Sequence, residues 1–143
     1  MPNANPAWMA ARVAAAAAVA LPLAVALPGL ASAKPPAAAG IEGTWSGGGA
    51  VAFASGGREN ARCRVRYARR SADTYTGNAV CATASARVAQ TVTLRRVGEN
   101  RYSGSFYNSE YDVSGSIYVV ARGNSQTVTL RSASGSAWFK LHR

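Results

Sequence analysis

Arg62-Cys63-Arg64-Val65-Arg66-Tyr67 alternates an arginine with a less polar residue at every step, and after a short polar break Thr74 to Thr83 reads TYTGNAVCAT. A period of two is that of an extended strand, with Cys63, Val65 and Tyr67 on one face and the three arginines on the other. Ser71-Ala72-Asp73 supplies a turn between the two segments. If they pair as a hairpin about Ala72, the numbers of opposed residues sum to 144, as 63 and 81 do. Cys63 then lies directly across from Cys81, within disulfide reach. The same register sets Val65 across from Ala79 and Tyr67 across from Gly77. The turn residues place this hairpin without reference to the cysteines, so the agreement is evidence for it.

Similar turn signals recur about every twelve residues through the rest of the chain. They are Ser55-Gly56-Gly57, Ala84-Ser85, Gly98-Glu99-Asn100, Asn108-Ser109-Glu110, Gly123-Asn124 and Ser134-Gly135. With the first turn they delimit eight strands, at 43–54, 59–70, 74–83, 86–96, 101–107, 111–122, 126–132 and 136–142. Each run carries an apolar face, including Val88, Val92 and Leu94; Tyr102 and Phe106; Val113, Ile117 and Val119; Val128 and Leu130; Ala137, Phe139 and Leu141. One apolar and one wet face per strand describes an antiparallel sheet over a single core. Closure of eight such strands removes the exposed edges. The expected fold is all-β: a single antiparallel up-and-down eight-stranded barrel with one intra-hairpin disulfide. In a closed meander the last strand pairs with the first, which brings Leu141 or Arg143 beside Trp45. Parity places Trp138 outside.

Gly43-Thr44-Trp45 opens the first strand. The triplet, with eight strands and a terminal basic residue, resembles the Gly-x-Trp signature of the calycin superfamily, which includes lipocalins, avidins and Inh-type bacterial protease inhibitors. The resemblance implies a barrel whose end is closed by the Trp under a basic side chain from the last strand, here Gly43, Trp45 and Arg143. It extends to architecture over residues 42–143. The mature chain has too few tryptophans for an avidin-like biotin pocket. The size and single bridge match the Inh type in outline. That resemblance implies an inhibitory segment before the barrel, where residues 34–41 carry no matching motif.

Val13 to Leu30 is almost wholly apolar, follows Arg12, and ends at Ala31-Ser32-Ala33 before Lys34-Pro35-Pro36. This is the pattern of a cleaved secretory signal, with translation starting at Met1 or at Met9. The expected organisation is a signal peptide at 1–33, a Pro/Ala-rich linker at 34–41 and a barrel at 42–143, in a bacterial periplasmic or secreted protein. The mature chain then has no transmembrane segment, and its two cysteines meet an oxidising compartment. Removing residues 1–33 from the 143 leaves 110, enough for one domain of modest stability. The loss of Arg12 takes the formal charge from +10 to +9.

No catalytic constellation is present, and the chain reads as a non-enzyme. The six acidic residues fall at strand ends and turns, and the single His142 lacks partners. No cofactor or metal site is expected. The inward aromatics Trp45, Tyr67, Tyr75, Tyr102 and Phe106 are candidates to hold a small apolar or amphipathic ligand, with Gly47, Gly49, Gly77, Gly104 and Gly115 leaving room beside them. Arg62, Arg64 and Arg66, with Arg69 and Arg70 beyond, form a candidate polyanion-binding face. Arg87, Arg95 and Arg96 extend it. The partners consistent with these features are a small ligand, a secreted protease or an anionic envelope surface. Specific nucleic-acid recognition is not expected, because few aromatics lie among these arginines in sequence. Oligomeric state is open.

Overall fold

Period-two patterning produces strands along the whole domain. Apart from Gly29, the computed structural model describes residues 40–143. The signal-peptide reading and the linker before Gly40 lie outside the described residues. The strands are β1 (Gly43–Phe53), β2 (Arg58–Arg69), β3 (Thr74–Thr83), β4 (Arg87–Gly98), β5 (Arg101–Asn108), β6 (Val113–Arg122), β7 (Ser125–Ser132) and β8 (Gly135–His142). Each pairs antiparallel with the next, and β8 pairs with β1, so the sheet is a closed barrel. Closure leaves no strand edge unpaired, which removes the template for edge-to-edge aggregation.

The β2–β3 register is the one expected: Cys63 opposes Cys81, Val65 opposes Ala79 and Tyr67 opposes Gly77. The cysteines are bonded, with Cα atoms 4.1 Å apart. Two strand ends differ from the sequence reading by two residues, and the others agree to within one. β4 runs on to Gly98 through a register shift between Arg96 and Gly98, where Val97 is exposed. β6 begins at Val113 and not at residue 111, because Asp112 has a positive φ of 50°. The buried Asn108 organises that turn, its Oδ1 accepting from the backbone N–H groups of Glu110 (2.9 Å) and Tyr111 (3.2 Å). A side chain that mimics a backbone turn in this way competes with the ladder and ends the strand.

The glycines inside the strands do not leave empty space. A Cβ on Gly49 would collide with the Trp138 carbonyl, and one on Gly104 with the Thr93 carbonyl; Gly47 and Gly115 meet neighbouring carbonyls in the same way. These glycines let adjacent strands coil closely enough to close a small barrel. Gly77 lies under the Tyr67 ring, whose Cδ1 would be 2.8 Å from an added Cβ.

Candidate functional site

The barrel has one filled end and one open end. At the filled end Trp45 is fully buried. Its Nε1 donates to the Ile41 carbonyl at 2.8 Å, and the Arg143 guanidinium lies over the ring, 4.4 Å from the centroid. The same guanidinium donates to the carbonyls of Gly40 (3.0 Å), Glu42 (3.1 Å) and Gly123 (3.4 Å). Arg143 thereby ties the entry of the domain to the β6–β7 turn, with the cation held against the negative face of an indole. Ile41, placed in the linker by its sequence context, is a core residue with no exposed surface. Tyr75 and Tyr102 pack edge to face beside it, centroids 5.4 Å apart.

Tyr67 crosses the middle of the barrel. Its hydroxyl donates to Gln126 Oε1 at 3.4 Å, while Gln126 Nε2, also buried, has no partner among the described residues. Burial raises the pKa of Tyr67 above the ordinary 10.0. Burial, then the neighbouring Tyr75, raises that of Tyr102, and Arg96 pulls it the other way. A phenol whose pKa is raised on folding is held neutral, so its contribution to stability is complete below about pH 10 and is lost as pH climbs past that value. Tyr67→Phe should cost about 1 kcal/mol at neutral pH, for the lost hydrogen bond. Its denaturant midpoint should then fall less steeply than the wild type's when pH is raised above 10. Parallel curves would show that Tyr67 is not the group titrating.

The other end contains a cavity of about 160 Å³. Val51, Val88, Phe106, Val113, Leu130 and Phe139 supply most of its wall, Cys81 of the disulfide and Gln90 contribute deeper in, and serines of the β7–β8 turn stand at the mouth. Among the described residues no ionisable side chain lines it. A space of about 20 Å³ lies deeper, sharing Cys81, Gln90, Leu130 and Phe139 with the cavity above. Of the five aromatics singled out in the sequence, Phe106 lines the larger cavity and Tyr67 the smaller. Trp45, Tyr75 and Tyr102 instead pack the filled end. Parity shows that a residue points inward but not at which end the interior is full. The apolar wall residues Val51, Val88 and Val113 carry the missing signal: small side chains near the strand ends that meet at one mouth.

The arginines also divide. Arg62, Arg64 and Arg66 stand exposed in a row on β2, and with Arg87 they border a surface depression over Val80 and Ala82. Arg69 has the parity of Tyr67 and folds across the filled end, paired with Glu42 at 3.8 Å and 5.9 Å from the Tyr75 ring. Arg70 donates from Nε to Thr76 Oγ1 at 2.8 Å. Arg95 pairs with Asp73 at 3.9 Å. Arg96 donates to the carbonyls of Gly98 and Glu99. Among the described residues no cluster of three or more His, Cys, Asp or Glu is placed to hold a metal ion.

No family model matches the chain, and no curated protein matches it in sequence. Solved structures share its architecture. The redesigned β-barrel mFAP1 bound to DFHBI superposes with a TM-score of 0.61 at 11% identity, over 72% of this chain and 94% of that one. What these structures share with this chain is the closed β-barrel architecture. A de novo designed fluorescence-activating β-barrel matches at a TM-score of 0.57 and 14% identity, over 72% of this chain and 93% of that one. Rv2717c from M. tuberculosis matches at 0.50 and 11%, over 72% and 92%. At such identities the likeness is one of fold.

Proposed function

We propose that this is an exported, non-enzymatic binding module whose open barrel end holds a small, neutral, largely apolar ligand. The observation that carries the reading is the cavity beside Phe106, Leu130 and Phe139, apolar in its wall and without a charged group. A dry apolar cavity of about 150 Å³ in another protein is large enough for benzene, so this one takes the apolar end of a ligand whose remainder emerges at the mouth. Gln90 and the mouth serines offer hydrogen bonds, the sparse polar contacts that orient a ligand in such sites. A charged ligand end is disfavoured inside, since no counter-charge meets it there. That mFAP1, a barrel of this architecture, is bound to DFHBI in its solved structure supports the reading.

Native mass spectrometry of the protein purified from its host tests it. The expected result is an added mass of a few hundred daltons, typical of a ligand filling a site of this class, that is lost on denaturation. A neutral apolar dye such as Nile red should bind the emptied protein. Ala137→Phe, built on a half-buried position of the cavity wall, should weaken dye binding about tenfold or more, because overlap in a packed wall costs roughly 1–3 kcal/mol. A bare mass together with a dye signal insensitive to Ala137→Phe would end the proposal.

A second reading, attraction to anionic envelope material, is favoured by Arg62, Arg64 and Arg66. They project together from one strand, and none is in an ion pair among the described residues. Its test is the triple glutamine variant, which should lose salt-sensitive retention on anionic vesicles. The Inh-type inhibitor reading rests on residues 34–41, of which Gly40 and Ile41 are described, and both belong to the barrel's filled end.

A further inference from the structure

Barrel closure brings together residues that are far apart in the chain on the outer face of β7, β8, β1 and β2. Ala50 opposes Trp138 on one side and Asn60 on the other; Ala52 opposes Ser136 and Arg58. Across β8, Trp138 opposes Thr129 and Ser136 opposes Arg131. The result is a surface depression of about 300 Å³ floored by Ala50 and Ala52 and walled by Arg58, Arg131, Thr129 and Trp138. Trp138 is 50% exposed, a large apolar surface to leave in water. One row along, Gly48 lies between Lys140 and Arg62, so the floor continues between two more cations. None of Arg58, Arg62, Arg131 and Lys140 is in an ion pair among the described residues. Tyr118, also exposed, opposes Thr129 from β6. It therefore presents a second aromatic surface two strands from Trp138, about 10 Å away at ordinary strand spacing.

We propose that this face binds single-stranded nucleic acid without sequence preference. The depression offers two things side by side: aromatic surfaces and uncompensated guanidinium forks. Every nucleotide carries the matching pair, a base with a π face and a phosphate. An anionic glycan or inorganic polyanion supplies the charge but has no aromatic face for Trp138. Bases stack on Trp138 and Tyr118, as they do on the aromatics of other single-strand binders. Arg58 and Arg131 take phosphates on either side of Trp138 with the fork geometry suited to them. The glycine and alanine floor of β1 keeps side chains out of the path. The depression lies on the outer side of the wall that bounds the barrel cavity, the two sharing Ser136 and Ala137 in their linings, and it does not depend on the reading of that cavity.

The test is fluorescence anisotropy of a labelled short oligothymidylate titrated with the protein across a range of salt. Trp138→Ala should weaken binding about tenfold, in line with the loss of one stacked base. Trp138→Phe, which keeps an aromatic face, should restore most of it. Because Trp138 is exposed, neither variant threatens the fold. Arg58→Gln and Arg131→Gln should each make the slope of log affinity against log salt shallower by about 0.7 per lost phosphate contact. Heparin and polyphosphate should bind with affinity unchanged by Trp138→Ala. No oligonucleotide binding, or equal affinity in wild type and Trp138→Ala, would overturn the proposal. So would a loss of heparin binding that parallels that of the oligonucleotide, which would assign the face to anionic glycans instead.

Discussion

Trp45→Ala should destabilise the barrel by about 3–5 kcal/mol, the range for removing a large aromatic from a packed core. Trp45 has no exposed surface, and three separate parts of the chain meet on it. Ile41 accepts its N–H, Arg143 covers its face, and the turn at Gly123 is joined to that cover by the same guanidinium. A domain of this size has a total stability of about 5–15 kcal/mol, so the variant should unfold tens of degrees earlier, given a shift of roughly 4–8 °C per kcal/mol. Arg143→Ala removes the stacked cation, worth about 0.5–2 kcal/mol, and leaves carbonyls without their donor. Arg143→Lys should recover little, because an ammonium does not reproduce three hydrogen bonds from one planar fork. The double variant should lose less than the two single losses combined, since each removes the other's partner. Strict additivity by urea denaturation would show that Arg143 acts on the backbone carbonyls alone, and that the cation over the ring contributes nothing.

Much of this closure is legible in the sequence, because strand geometry has a strict period. Once Cys63 and Cys81 fix one register, parity assigns each strand's inward residues. Closure then places Arg143 beside Trp45 and turns Trp138 outward. The two strand ends that differ most have local causes outside that period. The turn after Asn108 is set by the Asn108 side chain and a positive φ at Asp112. The extra length of β4 comes from the shift near Val97. Ile41 is missed for a different reason. It follows a Pro/Ala-rich stretch and precedes the alternating pattern, and only the tertiary bond from Trp45 shows that it belongs to the core.

The site is less legible than the fold. Parity shows that Tyr67, Tyr75, Tyr102 and Phe106 point inward, but whether they fill a space or line one depends on the axial level at which they meet. Tyr75 and Tyr102 meet each other beside Gly40 and Ile41 at the filled end; Phe106 sits with the valines of the opposite end. The interior glycines mislead in the same way, since a missing side chain signals close backbone approach at Gly49 and Gly104 and not a void. On the outside, Trp138 lies eighty residues in sequence from Arg58 yet shares a depression with it. The residues joining them, Ala50 and Ala52, have no chemistry of their own to draw attention. Long-range juxtaposition across the closing β8–β1 seam is what the linear pattern hides.

Replacing Cys63 and Cys81 together by alanine should cost about 3 kcal/mol. The bridge spans 18 residues of chain, and the chain-entropy account assigns roughly that much to a loop of this length. The bond ties a hairpin that the β2–β3 register already forms, so the loss should fall mainly on the unfolded state and leave the native strand pairing intact. The urea dependence separates the two effects. A less constrained unfolded chain exposes more surface, so the m-value should rise while the midpoint falls. If the midpoint fell at constant m, the cost would lie in the native packing of the pair. Cys81 also forms part of the cavity wall, so the double variant should loosen ligand binding as well as stability. Dithiothreitol should reproduce both effects in the wild type and neither in the alanine variant. A barrel indifferent to both treatments would be held by its core and its Arg143 closure alone. With the expected loss, the folded population is greatest where the bridge stays oxidised, which is the compartment that the N-terminal sequence of this chain leads one to expect.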